Sequence, residues 1–278
     1  MLIDINPVVL SLGPMAVRWF GLFALAGLGL AIWLSLRDLA RQPASRRAAL
    51  SALAWALPAG LLTARLVYVL GDWDYFLTNA GELWQLNIAG LSLWGGLVGG
   101  GLVAAARLKR DTLRRRRILD VVAPYAALAV AIGRLGEFLE GQGEGLVSSL
   151  PWATRYANPL AASPDFGVGR HPAQLYDALV ALALFALLKL LPGRLPAGTR
   201  FATFVVLYGL ARVIMGPVRL DPAFLFGLQI EQLLAIGCVA VGIVFGLRPM
   251  LHGLSSRRAA LDDGPVPTSH AQEDTLAA

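Results

Sequence analysis

Apolar runs alternate with short polar segments along nearly the whole chain. Seven of them, near 16–36, 48–70, 89–107, 118–139, 172–191, 201–217 and 229–247, are long enough to cross a bilayer, for which about 20 residues are needed. The pattern predicts an all-α, polytopic membrane protein of seven transmembrane helices. The third run contains G-G-L-V-G-G-G, Gly95 to Gly101, small residues that let two helices approach closely. Asp72 to Asn87 reads as an interfacial segment, with Trp73, Tyr75, Phe76 and Trp84 at headgroup level as in an aromatic belt. The longest connection, about 140–171, is rich in Gly, Pro and Ser and predicts a folded cap with little regular structure; loops of that length are often functional. The membrane domain is expected over 1–258, and Ala259 to Ala278, polar and proline-containing, is expected to be a disordered tail.

Composition agrees with this pattern. Of 278 residues 56% are apolar and 15% charged, with a mean hydropathy of +0.62, which excludes an ordinary soluble globule. The formal net charge of +6 would suit a nucleic-acid partner, but the positive residues sit in short loops between apolar runs, where they encode orientation. Arg37, Arg41, Arg46 and Arg47 follow the first run, and R-L-K-R-D-T-L-R-R-R-R, Arg107 to Arg117, follows the third. Lys189, Arg194 and Arg200 flank the fifth-to-sixth connection, and Arg248, Arg257 and Arg258 follow the seventh. These place 17 of the 24 Lys and Arg residues on one side, predicting N-terminus out and C-terminus in, with no nucleic-acid partner. Asp4 and the absence of a basic residue before Arg18 give no sign of a cleaved signal peptide. The single Cys238 lies in an apolar run, and neither a phosphate loop nor a metal-spaced His/Cys set is visible, so no cofactor and no metal are expected.

The remaining arginines run against the orientation bias. Arg18, Arg65, Arg134, Arg155, Arg170, Arg212 and Arg219 all fall at outer ends of spans or in outer loops. A charge inside a hydrocarbon-length segment is costly unless it faces a wet or paired interior. Arg18, Arg65, Arg134 and Arg212, on four runs at matched depth, therefore predict a buried anion site near the outer leaflet, with a lipid phosphate as the anion. In the fourth run, Arg134, Glu137 and Glu140 are spaced by three and share a helical face. They read either as a self-neutralising buried pair or as an arginine that grips phosphate beside a carboxylate that orients it or takes a proton. His171, Gln174 and Asp177 project from the start of the fifth run, marked by Pro172. His171 is the only histidine before the C-terminal region, and is either a helix-start hydrogen-bond holder or the imidazole base of the site. Tyr208 and Arg212 are four apart, and Gly216-Pro217 interrupts the sixth helix so that Arg219 can fold back. The planar fork of arginine binds phosphate oxygens in pairs. Snorkelling to headgroups is the alternative for Arg18 and Arg219.

Six blocks in order make the chain resemble the bacterial prolipoprotein diacylglyceryl transferases. They are V-R-W-F-G-L (Val17 to Leu22), A-R-L-V-Y-V-L (Ala64 to Leu70), L-S-L-W-G-G-L-V-G (Leu91 to Gly99), G-R-L-G-E-F (Gly133 to Phe138), H-P-A-Q-L-Y-D (His171 to Asp177) and Y-G-L-A-R (Tyr208 to Arg212). The resemblance implies transfer of the diacylglyceryl group of phosphatidylglycerol to a lipobox cysteine thiol of a prolipoprotein signal peptide, with release of glycerol phosphate. It places the protein in the bacterial inner membrane with the site facing the periplasm. It implies that Arg134 and Arg212 bind the lipid phosphate and that His171, Gln174, Tyr208 and Arg219 line the site. The chain departs from the family pattern at several positions. Trp94 stands where the third-span histidine belongs, Glu137 and Glu140 replace asparagines, and Gln142 replaces a glutamate. Phe20 replaces a tyrosine, Gly216 a glutamate before Arg219, and Asp177 a glutamate. The phosphate half of the site is thus retained, while the usual thiol base is replaced. Glu137 is the candidate base, and Glu144 is a candidate to compensate for Gln142.

The expected catalytic set is Arg134, Arg212 and Glu137. The expected substrate-binding set is Arg18, Arg65, Trp94, Glu140, Gln142, Glu144, His171, Gln174, Tyr176, Asp177, Tyr208 and Arg219. A non-catalytic or acceptor-switched phospholipid-binding protein of the same fold is the alternative. A transporter would carry inverted repeats and broken midplane helices, and a retinal-type receptor a lysine inside a span; Lys109 and Lys189 sit only at span ends.

Overall fold

Most of the chain is helical, because apolar segments in lipid must satisfy their backbone hydrogen bonds internally. The computed structural model describes residues 1–12, 15–83, 92–109, 111–193, 195–220 and 223–262; for 12, 15, 82, 93, 94, 97, 223, 224 and 248–262 it describes the backbone alone. Among the described residues eight α-helices follow in order: α1 Trp19–Asp38, α2 Pro43–Gly71, α3 Trp73–Thr78, α4 Leu93–Arg107, α5 Thr112–Glu140, α6 Ala173–Leu190, α7 Thr199–Met215 and α8 Ile230–Asp262. Among the described residues six are long and apolar enough to cross a membrane, namely α1, α2, α5, α6, α7 and α8. The expected seventh is α4. Its 15 residues rise about 22 Å, short of the roughly 30 Å hydrocarbon core. Residues 84–91, which precede it, lie outside the described residues, as does Trp84. Of the interfacial segment, α3 holds Trp73 and Tyr75 half exposed and Phe76 buried.

The helix pairs reflect their small residues. In α4, Gly95 lies beside Thr63 and Val67 of α2, and Gly100 beside Ala56, so the two helices run antiparallel. A Cβ on Gly99 would sit 2.0 Å from the Thr63 hydroxyl oxygen. Helix α1 packs on α5, where a Cβ on Gly136 would lie 2.7 Å from that of Phe23. Helix α5 also contacts α6 and α7, and α7 packs on α8.

Helix ends are fixed largely by tertiary contacts. Glu140, at the end of α5, accepts the Phe20 amide at the start of α1 (3.1 Å). Asp120 of α5 accepts the Gly198 and Phe201 amides at the start of α7 (2.6 and 3.0 Å). At the basic end, buried Arg116 donates to the Phe245 carbonyl of α8 (3.0 Å) and lies over its ring. Lys189 donates to the Tyr125 hydroxyl (2.9 Å), which is bonded to Asp38. At the opposite end, residues 141–172 form a cap. Its strand β4 (Arg155–Tyr156) pairs in parallel with β1 (Leu2–Ile3), and Tyr156, Ile3 and Phe138 make a small core. Two hairpins lie outside it: β2 (Val8–Leu12) with β3 (Met15–Arg18), and β5 (Ala223–Leu225) with β6 (Leu228–Gln229). Helix α8 continues to Asp262, four residues into the expected tail; 263–278 lie outside the described residues.

Candidate functional site

Three guanidinium groups converge on one carboxylate oxygen beneath the cap. Asp177, in the first turns of α6, holds its Oδ2 2.6 Å from Arg212 Nη1, 3.2 Å from Arg219 Nη1 and 3.5 Å from Arg134 Nε. Each arginine arrives from a different place. Arg134 comes from the last turns of α5 and Arg212 from the end of α7. Arg219 follows the short turn Gly216–Val218, which ends α7 and brings that side chain back, as the Gly-Pro interruption predicts. Asp177, Arg212 and Arg219 are buried. Glu137, one turn after Arg134, binds its Nη1 at 2.5 Å, and the Tyr208 hydroxyl lies against the same guanidinium. Glu231, in the first turn of α8, pairs with Arg212 Nη2.

The cap closes over this group with glycines. Gly145 bridges to Arg219, and a Cβ there would meet the Val218 carbonyl at 2.6 Å. Gly143 has a positive φ of 69° and lies against the Arg219 guanidinium, where a Cβ would be 3.1 Å from Nη2. A side chain at 145 would collide with the Val218 backbone, and one at 143 would be strained at that φ. Gln174, fully buried on α6, donates to the Gln142 carbonyl (2.6 Å), and its Oε1 has no hydrogen-bond partner among the described residues.

Other expected site residues lie apart from the cluster. Arg18 binds Glu140 Oε1 at 2.6 Å, and that carboxylate also accepts Gln142 Nε2 (3.1 Å). Glu140 therefore joins the start of α1 to the end of α5 instead of the arginine cluster. Arg65 donates to the Leu83 carbonyl (3.2 Å) and lies over the Tyr68 and Phe76 rings on the α2 side. Arg134, Arg212 and Arg219 are the arginines that meet on Asp177, whereas Arg18 binds Glu140 and Arg65 sits on α2, which packs mainly on α4. His171 Nδ1 lies 3.3 Å from the Tyr176 hydroxyl, which accepts from Trp152 Nε1 (2.7 Å) on the cap's flank. Glu144 turns into the cap and accepts the Ser163 hydroxyl at 2.5 Å; burial pushes its carboxyl above the usual 4.5. Burial likewise raises the Tyr156 phenol. Trp94 belongs to α4, and its side chain lies outside the described residues.

The sequence profile described as prolipoprotein diacylglyceryl transferase matches residues 7–248, taking in every residue of this site. The chain belongs to that family. It is similar to the phosphatidylglycerol–prolipoprotein diacylglyceryl transferase of Streptococcus pyogenes serotype M5 (strain Manfredo), at 29% identity over 248 residues, 88% of this chain and 95% of that protein. It is likewise 29% identical over 245 residues to the protein of the same name from Streptococcus uberis, covering 87% of this chain and 94% of that one.

As a diacylglyceryl transferase family member, the chain keeps the arginines of the G-R-L-G and Y-G-L-A-R blocks and brings them together with Arg219. Sequence reading missed Glu231. Its signal was a single acid at the outer edge of the seventh apolar run, the mirror image of the arginine pattern.

Proposed function

We propose that this protein is a phosphatidylglycerol-dependent diacylglyceryl transferase whose lipid phosphate binds at Arg134, Arg212 and Arg219. The observation that carries this reading is the convergence of three guanidiniums from separate segments on a single carboxylate oxygen. Such an arrangement stabilises an oxyanion in a low-dielectric site without reorganisation. Each guanidinium has five N–H donors, and the ion pairs of Arg134 and Arg212 with Asp177, Glu137 and Glu231 occupy fewer than all of theirs. A phosphate has room in this hydrogen-bonding inventory even though the three acids balance the three arginines.

The acceptor in this reading is a cysteine thiol of a prolipoprotein. Its sulfur attacks the glyceryl methylene carbon that bears the phosphate ester. The carbon–oxygen bond breaks, and glycerol phosphate leaves with the bonding pair onto the arginines. The thiol proton goes to Glu137. A phosphate that takes the Arg134 guanidinium releases Glu137 from its ion pair, so lipid binding and base activation are linked. We place the site at the outer leaflet of the bacterial inner membrane. The 17 basic residues at the other end argue for that orientation, with α4 supplying a short seventh crossing.

Purified protein mixed with headgroup-labelled phosphatidylglycerol and a lipobox peptide tests the reading. Release of glycerol phosphate that is lost in Arg134→Ala and Glu137→Gln is expected. Lipid binding with no release in the wild type, unchanged by Glu137→Gln, would instead make the protein a phospholipid binder. Rescue of cells depleted of their own transferase tests the prolipoprotein acceptor separately.

A further inference from the structure

Position 216 lies between two arginines of the cluster, Arg212 and Arg219, and carries no side chain. Its backbone is right-handed helical, φ −50° and ψ −51°, a conformation open to any residue. The obstacle to a side chain is Gln232 of α8. A Cβ at Gly216 would lie 2.0 Å from Gln232 Nε2 and 2.3 Å from its Cδ. Gln232 is buried and fixed: Nε2 donates to the Val213 carbonyl (3.1 Å), and Oε1 accepts the Gln229 amide (3.0 Å). Gln229 is buried too and donates through Nε2 to the Gly216 carbonyl (3.0 Å). The first turn of α8 is therefore seated in the space a residue-216 side chain would fill. Glu231, which directly precedes Gln232 in that turn, delivers a carboxylate to Arg212 Nη2.

We infer that Glu231 is a positioning residue for Arg212, supplied from α8 because Gly216 and Gln232 together remove the possibility of a carboxylate at position 216. Arg212 is then held at both terminal nitrogens, Nη1 by Asp177 of α6 and Nη2 by Glu231 of α8. A guanidinium is planar, so two carboxylates on its two ends fix the plane it presents to an incoming phosphate. The Glu231 side chain is 31% exposed against 4% for Asp177, which makes it the outer of the two clamps. Its place in the first turn of α8 is also favoured by the helix dipole. The sequence departure at 216 and the acid at 231 are in this view one change, in which the site's carboxylate has moved from one helix to its neighbour.

The inference rests on the transferase reading above and is tested beside it. Glu231→Gln is isosteric and removes only the charge. Glycerol phosphate release is expected to fall about 10- to 100-fold, as Arg212 loses the ion pair that orients it in the transition state, with little change in melting temperature. Gly216→Glu alone is expected to unseat α8 and lower the melting temperature. The triple variant Gly216→Glu, Glu231→Gln, Gln232→Ala returns a carboxylate from α7, and most of the release rate should return with it. A residue that merely supported the fold would show no such rescue. Wild-type rate in Glu231→Gln, or a folded triple variant no faster than Glu231→Gln, overturns the inference. Should the triple variant not fold, Glu231→Asp decides: more release than Glu231→Gln supports the role of the charge, and equal loss overturns it. A wild type that releases nothing refutes the transferase reading instead. Calorimetric binding of glycerol phosphate then carries the test, weaker in Glu231→Gln if the inference holds and equal if it does not.

Discussion

Replacing Glu140 by alanine separates a structural carboxylate from a substrate-binding one. The side chain is 2% exposed and accepts from three donors: Arg18 Nη1 (2.6 Å), Gln142 Nε2 (3.1 Å) and the Phe20 amide (3.1 Å). The Phe20 amide is one of the orphan donors at the start of α1, and that helix has no side-chain cap of its own. Losing such a cap costs about 1 kcal/mol. The Arg18 partner is 37% exposed, so solvent screening limits the ion pair to at most about 1 kcal/mol. The Gln142 bond adds a further ~0.5–1 kcal/mol. The total is roughly 1.5–3 kcal/mol. For a chain of this size each kcal/mol moves the melting temperature by about 2–4 °C, so Glu140→Ala should melt roughly 3–12 °C lower. Thermal unfolding in one detergent, followed beside glycerol phosphate release below the transition, is the assay. A variant that melts with the wild type but has lost release would return Glu140 to the substrate site and refute its role as the cap of α1.

Other consequences follow from the same geometry. Asp177→Ala leaves three guanidiniums, two of them buried, without their shared counter-charge, and breaking a buried pair in this way costs about 3–5 kcal/mol; the melting temperature should fall further than in Glu140→Ala. Gly99→Val drives a side chain into Thr63, and overpacking of about 1–3 kcal/mol should lower both the yield of folded protein and its melting temperature. Glu144 has its folded pKa raised above 4.5 by burial, so the native state holds the proton more tightly than the unfolded chain. Its contribution is fully present below pH 4.5 and is lost as the pH rises through the folded value. Glu144→Gln, neutral throughout, should therefore gain stability relative to the wild type as the pH rises from 4 to 8; melting curves of the two proteins in parallel check this, and a constant difference would exclude it.

The spans of α1, α2, α5, α6, α7 and α8 were legible because each residue's preference for hydrocarbon is a local property, summed along one segment. So were the glycine face of α4 and the cap between α5 and α6, which composition marks directly. Arg134 and Arg212 stood out as charges at a depth where charge is costly. Which arginines share a pocket was not legible. Matched depth put Arg18 and Arg65 with them, but depth says nothing about which helices are neighbours. Arg65 lies on α2, which packs mainly on α4, and Glu140 pairs with Arg18. Asp177 as the meeting point of three arginines, and Glu231 as the second partner of Arg212, depend on α6 and α8 flanking α7 at that level. An ion pair is a relation between two places in space, and hydropathy, read one segment at a time, carries no information about the distance between them.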